Sequence, residues 1–246
     1  MNTSQKAIII VLIVIVGTAF IYTTLKSFVE ETIFPEEVVK QARDGEVKHY
    51  SSSGTLKTVI NYDQGVKHGM SYQFYQDGKT VLLAMPYLHG KREGVSKKYY
   101  KSGKLYAETS YQNDELNGPR KTYYQSGQLK SEVLFLNGNP GTGTTEYFTS
   151  GEPKTAYSIR TEKRGRNILL SVEPACKDAL FYVGKLISDR FYDEYSEDLK
   201  VLPERSGQSY INIDIFTPSF LRYQDIICSC KSSQGNPVIL KDRLDI

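Results

Sequence analysis

The sequence predicts a mainly β protein. It combines an N-terminal transmembrane helix, an elongated antiparallel β-hairpin repeat array forming an open meander sheet, and a small C-terminal α+β unit. Three observations predict this. A unit of about 24 residues recurs through the middle of the chain, as in arrays whose units bury their apolar faces on neighbours. The segment after each unit's glycine alternates in period two, as half-buried strands do. An uncharged apolar run occupies residues 7–25.

Each unit is anchored by two aromatics, a short polar gap and a glycine. The copies read Phe74-Tyr75-Gln76-Asp77-Gly78, Tyr99-Tyr100-Lys101-Ser102-Gly103, Tyr123-Tyr124-Gln125-Ser126-Gly127 and Tyr147-Phe148-Thr149-Ser150-Gly151. A degenerate first copy runs from Tyr50 to Gly54. The glycines Gly54, Gly78, Gly103, Gly127 and Gly151 step by 24, 25, 24 and 24 residues. They suit a tight turn out of an aromatic strand. The strand that follows puts Leu105, Ala107, Thr109 and Tyr111 on one face. Leu129, Ser131, Val133 and Phe135, and Leu56, Thr58, Ile60 and Tyr62, repeat that pattern. A second glycine-bearing turn completes the unit, so each copy reads as one hairpin of a meander. The second copy has an extra residue between Gly78 and Tyr87, with Pro86 before the tyrosine, which suggests a bulge or a local edge there. Pairing is expected to loosen over residues 136–144, where Gly138, Pro140, Gly141 and Gly143 cluster.

The string Gly-x-x-x-Gly, then Tyr-Tyr-x-x-Gly-x-Leu, then Glu and Tyr, resembles the MORN repeat variant. It is clearest over residues 90–111 and 118–135, and the likeness covers residues 47–160. In bacteria the variant is common in YwqK-like antitoxins. The resemblance implies a β-hairpin array acting in protein or membrane contact, as in membrane-proximal scaffolds that sometimes bind phospholipid. The antitoxin likeness implies binding and neutralising a toxin protein.

The apolar run 7–25 spans about 28 Å as a helix, close to the hydrocarbon thickness of a bilayer. Lys6 precedes it, and Glu30, Glu31, Glu36 and Glu37 follow Lys26. Charge asymmetry then puts residues 1–6 in the cytoplasm and the bulk outside, periplasmic or at the cell surface. A signal peptide cleaved near Gly17-Thr18-Ala19 is the rival reading, and would give a secreted chain. Residues 26–46 read as a stalk with a short helix over 35–44, started by Pro35 and stopped by Gly45.

Residues 47–165 hold the repeats, with 17 Lys/Arg against 10 Asp/Glu, and 13 of the 19 tyrosines. The expected contact surface is Tyr99 and Tyr123 with Lys97, Lys98, Lys101, Arg120 and Lys121. Such a surface suits a protein partner or an anionic envelope surface. Lysines that merely solvate an open sheet, and tyrosines packed between strands, fit the same pattern.

Residues 166–246 break the period. Residues 168–172 read as a strand. Pro174 opens a candidate helix to about Tyr195, striped by Leu180, Val183, Leu186, Ile187 and Phe191. Strands follow at 209–216 and from 226. This unit could cap the array's end. Cys176 can bridge Cys228 or Cys230, whereas Cys228 and Cys230 are too close to bridge each other without strain. No metal site is expected, because a fourth ligand of suitable spacing is missing. His49, His68 and His89 lie in the array without triad or ligand spacing. No catalytic residues, cofactor or nucleic-acid partner are expected. The function expected is therefore a membrane-anchored, extracytoplasmic protein-binding or scaffolding module. An antitoxin or immunity protein and a structural spacer are the alternatives, with thiol chemistry in residues 166–246 a remote third.

Overall fold

A computed structural model describes residues 44–205, 208–212 and 225–243. The expected membrane anchor (7–25) and stalk helix lie outside them, apart from Asp44. Among the described residues no helix is long and apolar enough to cross a membrane.

The repeats build one twelve-stranded antiparallel sheet. Its strands are β1 (Gly45–Tyr50), β2 (Leu56–Asp63), β3 (Val66–Lys67), β4 (Gly69–Phe74), β5 (Val81–Leu88) and β6 (Lys91–Arg92). They continue as β7 (Gly94–Tyr99), β8 (Leu105–Gln112), β9 (Glu115–Tyr123), β10 (Leu129–Leu136), β11 (Asn139–Pro140) and β12 (Thr145–Glu146). The main path runs β1-β2-β4-β5-β7-β8-β9-β10-β11, a meander in sequence order. The pairing Ala107↔Thr122, Thr122↔Ser131 and Thr109↔Arg120 confirms that the alternating residues share a face.

Two kinds of turn alternate. At the aromatic end, each glycine has positive φ and donates its amide to the residue three before it. These bonds are Gly54 to Ser51, Gly78 to Tyr75, Gly103 to Tyr100, Gly127 to Tyr124 and Gly151 to Phe148. Gly103 (φ 81°) shows why the residue is glycine: a Cβ would meet nothing within 4 Å, so the backbone angle alone selects it. At the other end, tight turns have positive φ at both central positions, as at His89-Gly90 and Asn137-Gly138. That geometry matches the twist of a two-residue hairpin.

The extra residue of the second unit is absorbed at the aromatic turn and not beside Pro86. The Tyr75 amide reaches Thr80, one residue further than the equivalent bonds from Tyr100 to Lys104 and from Tyr124 to Gln128. Asp77 holds the longer loop together by accepting from the Lys79 and Thr80 amides and the Thr80 hydroxyl. Those bonds hold its carboxyl down at about 2. Pro86 sits in an unbroken stretch of the β4–β5 ladder, opposite Met70.

The helix expected from Pro174 to about Tyr195 is absent; Lys177–Gly184 is a strand, and residues 185–195 are turns and isolated bridges. Residues 158–243 form two four-stranded sheets. One contains β13 (Ser158–Arg164), β14 (Asn167–Glu173), β17 (Glu204–Arg205) and β18 (Gln208–Asn212). The other contains β15 (Lys177–Gly184), β16 (Leu199–Val201), β19 (Asp225–Lys231) and β20 (Pro237–Arg243). The C-terminal unit is thus all-β among the described residues, not α+β. The reason is double-sided burial. Phe181 and Val183 enter a core with Ile168, Leu170, Ile226 and Cys228, while Tyr182 enters a second cluster with Tyr192, Ile227 and Ile239. A strand buried on both faces reads as a continuous apolar run, which mimics a helical stripe. The boundary expected at 165 falls at the tip of the β13–β14 hairpin.

Both apolar clusters lie in this C-terminal unit, and no residue of 44–156 belongs to them. Residues buried in the array are mostly small, such as Ala84, Ser96 and Ala107. The C-terminal unit covers the far margin of the array sheet. Thr142 bridges Ile239 and Gly141 bridges Phe191. The Tyr192 amide donates to Pro140, and the Thr144 hydroxyl to Pro237. At the centre is Glu146, only 4 % exposed. Its carboxylate accepts from Ser232 Oγ at 2.5 Å and Asn236 Nδ2 at 2.7 Å, and Lys154 Nζ lies 3.7 Å away.

Glu146→Ala leaves those donors without their acceptor. It is expected to lower folding stability by about 2–4 kcal/mol, read as a reduced urea midpoint.

Candidate functional site

The paired aromatics of each unit occupy the two faces of one strand, so one row is expected to pack between units and the other to be at least partly exposed. Both rows are half-buried along the central repeats, so neither is a fully packed core row, and each has a distinct bonding role. The second tyrosine of each unit spans to the next. Tyr75 Oη donates to the Tyr99 carbonyl at 2.7 Å, Tyr100 Oη to Tyr123 at 2.7 Å and Tyr124 Oη to Tyr147 at 2.8 Å. These rings are also covered. Tyr106 meets Tyr100 edge-on at 5.1 Å, and Lys130 Nζ lies 5.8 Å from the centre of Tyr124. Lys154 stands likewise over Phe148, at 5.6 Å. The first-aromatic row includes Tyr123, whose hydroxyl donates to Glu108 Oε2 at 2.7 Å. Burial and that carboxylate push the Tyr123 phenol up to about 12. Strong exposure belongs to the row ends, with Tyr50 at 56 % and Phe148 at 52 %.

The predicted basic surface is divided between the two faces of the sheet. Lys97 pairs with Glu108, Glu108 with Lys121, and Lys121 with Glu132 in the register. These four side chains therefore form one row of alternating sign. Lys97 lies 3.6 Å from Glu108, and Lys121 lies 3.6 Å from Glu132. Charge on that face is largely balanced. Lys98 and Arg120 lie on the opposite face, two strands apart. Among the described residues no carboxylate pairs with either; Lys98 Nζ stands 5.5 Å from the Tyr106 ring. Lys101 is exposed in its turn, and Tyr99 is half-buried. Sequence reasoning missed the balancing carboxylates. The signal was present, since Lys97 and Lys121, and Glu108 and Glu132, each recur one period apart.

A third arrangement binds the turns at the other end of the hairpins. The amides of Gly90, Asp114 and Gly138 donate to the carbonyls of Lys67, Arg92 and Leu116 of the preceding unit. Asp114 also accepts from Arg92, through its backbone amide at 2.9 Å and its Nε at 3.1 Å. These bonds hold the Asp114 carboxyl below its ordinary range. His68, between β3 and β4, and His89, in the next unit's turn, meet at a 60° tilt with ring centres 5.3 Å apart; His49 is exposed on β1.

The cysteines converge in the C-terminal core. Cys176 and Cys230 form a disulfide with Cα atoms 6.0 Å apart. Cys228 is a free, fully buried thiol, and burial pushes it up to about 12. All three sulfurs lie within 4.8 Å of one another. With two of them bridged, a single thiol is left, which is no donor set for an ion. A thiol so buried and so rarely ionised is a poor nucleophile.

Three segments, residues 43–64, 92–113 and 116–137, match the family model of the MORN repeat variant. They coincide with the first hairpin and with the two units of most regular spacing. No curated protein matches the chain.

Two outcomes are expected. In a titration followed at 295 nm, clean because the chain has no tryptophan, Tyr123→Phe removes one phenol from the late-ionising class. The folded-state value is raised, so the stabilisation by the Tyr123–Glu108 bond is complete below the ordinary tyrosine value of about 10. It is lost as pH climbs from there to about 12. Separately, a thiol reagent without reductant finds no reactive thiol in the native chain and one per chain, Cys228, in denaturant.

Proposed function

We propose that this chain is a membrane-tethered, extracytoplasmic interaction module, in which the repeat sheet is the contact surface for a protein partner. The observation that carries the reading is the single-layer sheet. Its apolar residues join neither hydrophobic cluster, and apart from a buried row of mostly small residues its side chains are half-buried or exposed. A surface of this kind offers area and charge pattern without a core to disturb. The match to the MORN repeat variant agrees with a binding repeat. The apolar run at 7–25 supports the tether and its charge flanks the orientation. No role as an enzyme is proposed.

Of the two faces, the one bearing Lys98 and Arg120 is the stronger candidate, because its cations lack balancing carboxylates. An acidic protein surface is the partner it suits. Neutralising a toxin in the envelope is the sharper form of the same reading. A spacer role is favoured by one observation, the Glu146 contacts that fasten the C-terminal unit to the last repeat. The nine strands of the main path would then hold that unit about 40 Å from the first strand, at roughly 4.8 Å per strand.

Charge reversal separates these readings. In crosslinked pull-downs of the full anchored chain, Lys98→Glu with Arg120→Glu is expected to lose a partner whose capture by the unaltered chain weakens with salt. The pair Lys97→Gln with Lys121→Gln is expected to retain it. Equal capture by both double variants, with unchanged folding, rejects the Lys98–Arg120 face as the site.

A further inference from the structure

The first repeat departs from the others at one position, and the departure leaves a space. Aligned on the turn glycines, Ser51 stands where later units have Tyr75, Tyr100, Tyr124 and Phe148. The backbone geometry at that position is the same. The Ser51 amide donates to Thr55 as the Tyr100 amide does to Lys104, and Gly54 donates back to Ser51 as Gly103 does to Tyr100. Only the aromatic side chain is missing. Ser51 Oγ is instead used locally, 3.0 Å from the Thr55 amide and 2.8 Å from Ser53 Oγ.

The groups that meet the aromatic in later units have counterparts here, although the Gly78 turn packs closely on Thr55 and Leu56 as no later turn glycine does. The carbonyl corresponding to those of Tyr99, Tyr123 and Tyr147 belongs to Phe74, and at the position of the donating tyrosine the first unit has Ser51. The residue three after the glycine is Tyr106, Lys130 or Lys154 in the last three units, each placed against the ring, and Val81 in the second. In the first unit that residue is Lys57, exposed. Between these groups lies an open cleft of about 510 Å³, bounded by Ser51, Leu56, Lys57, Thr58, Phe74 and Gln76 among others. The cleft thus keeps an acceptor for a phenol and an ammonium for the face of its ring, and lacks the ring.

We infer that this cleft is the receptor for a tyrosine side chain of a protein partner, seated as the later repeats seat their own tyrosines. The chain itself supplies the template: three hydroxyl-to-carbonyl bonds and two lysine-covered rings define how such a side chain sits. A cation over an aromatic face and a bonded phenol are both favourable in a partly desolvated site. The volume exceeds that of a single phenol, and the cleft is open, so adjoining backbone of a partner has room to follow. Ser53, Thr55 and Gln76 at its rim offer polar groups to that backbone. Tyrosine is also among the residues that dominate protein interfaces. The inference rests on reading the array as a protein-contact module, and it locates one anchor point of that contact.

The test uses the full chain in detergent micelles, with N-acetyltyrosinamide and N-acetylphenylalaninamide as probes in amide NMR titrations. The expected result is saturable shifts confined to residues 51–58 and 73–76, with the tyrosine probe binding about fivefold more tightly, the worth of one hydrogen bond. Ser51→Tyr supplies the ring from within, so it is expected to abolish probe binding and to raise the melting temperature. Lys57→Ala, at an exposed site that does not endanger folding, is expected to weaken the tyrosine probe severalfold. Absence of shifts at the cleft, equal binding of both probes, or a Lys57→Ala chain that binds as the unaltered one does would each overturn the inference. Pull-downs with Ser51→Tyr keep the two readings distinguishable. Partner capture undiminished by Ser51→Tyr rejects the cleft and leaves the contact module standing. Probe binding in a chain that captures no partner rejects the module and leaves the cleft's chemistry standing.

Discussion

The second, third and fourth repeats are each tied to the next by a tyrosine hydroxyl, which adds to the strand ladders of an array that holds no apolar cluster of its own. In a sandwich, two sheets bury each other's apolar faces and the strand ladders follow. Here the two apolar clusters are confined to the C-terminal unit. The sheet of repeats must therefore be held within its own plane. Tyr75, Tyr100 and Tyr124 do this at one end of the hairpins, through carbonyls 23 or 24 residues further on. The Gly90, Asp114 and Gly138 amides do it at the other. A bond of this kind contributes about 1 kcal/mol net, so it acts by repetition. That explains why the period is kept so closely, since a shift of one residue would take hydroxyl and carbonyl out of reach together.

The charge row across β7 to β10 serves the same plane. Lys97, Glu108, Lys121 and Glu132 face their opposite sign at each step. Exposed pairs contribute little individually. Their value lies in register, because a one-residue slip moves every side chain to the other face. What this balance leaves over, Lys98 and Arg120 on the reverse face, is correspondingly distinctive.

Much of the array was legible in the sequence, because its period, its turn glycines and its two-residue alternation all point to one answer. Local rules sufficed there: a hairpin's turn and strands lie within 24 residues. The site was less legible. The basic patch looked continuous in the sequence, but adjacent residues such as Lys97 and Lys98 point to opposite faces, and carboxylates a strand away neutralise one of them. The C-terminal unit was misread where burial is double-sided. Phe181, Tyr182 and Val183 serve two clusters at once, and the pairing of β15 with β19 joins segments about fifty residues apart. No local period encodes such a contact. Choice of Cys230 over Cys228 as the partner of Cys176 depends on the same long-range pairing.

The two margins of the repeat sheet are not equivalent. The far one is closed by β11, β12 and the C-terminal strands, around Glu146. The near one ends, among the described residues, at β1, whose outer backbone groups have no strand beside them. An open margin is a template for another strand. Among the described residues the repeat sheet has one such margin, so edge-to-edge pairing of two repeat sheets uses up that opening on each. Pairing of two repeat sheets through these margins alone is self-complementary and stops at two chains.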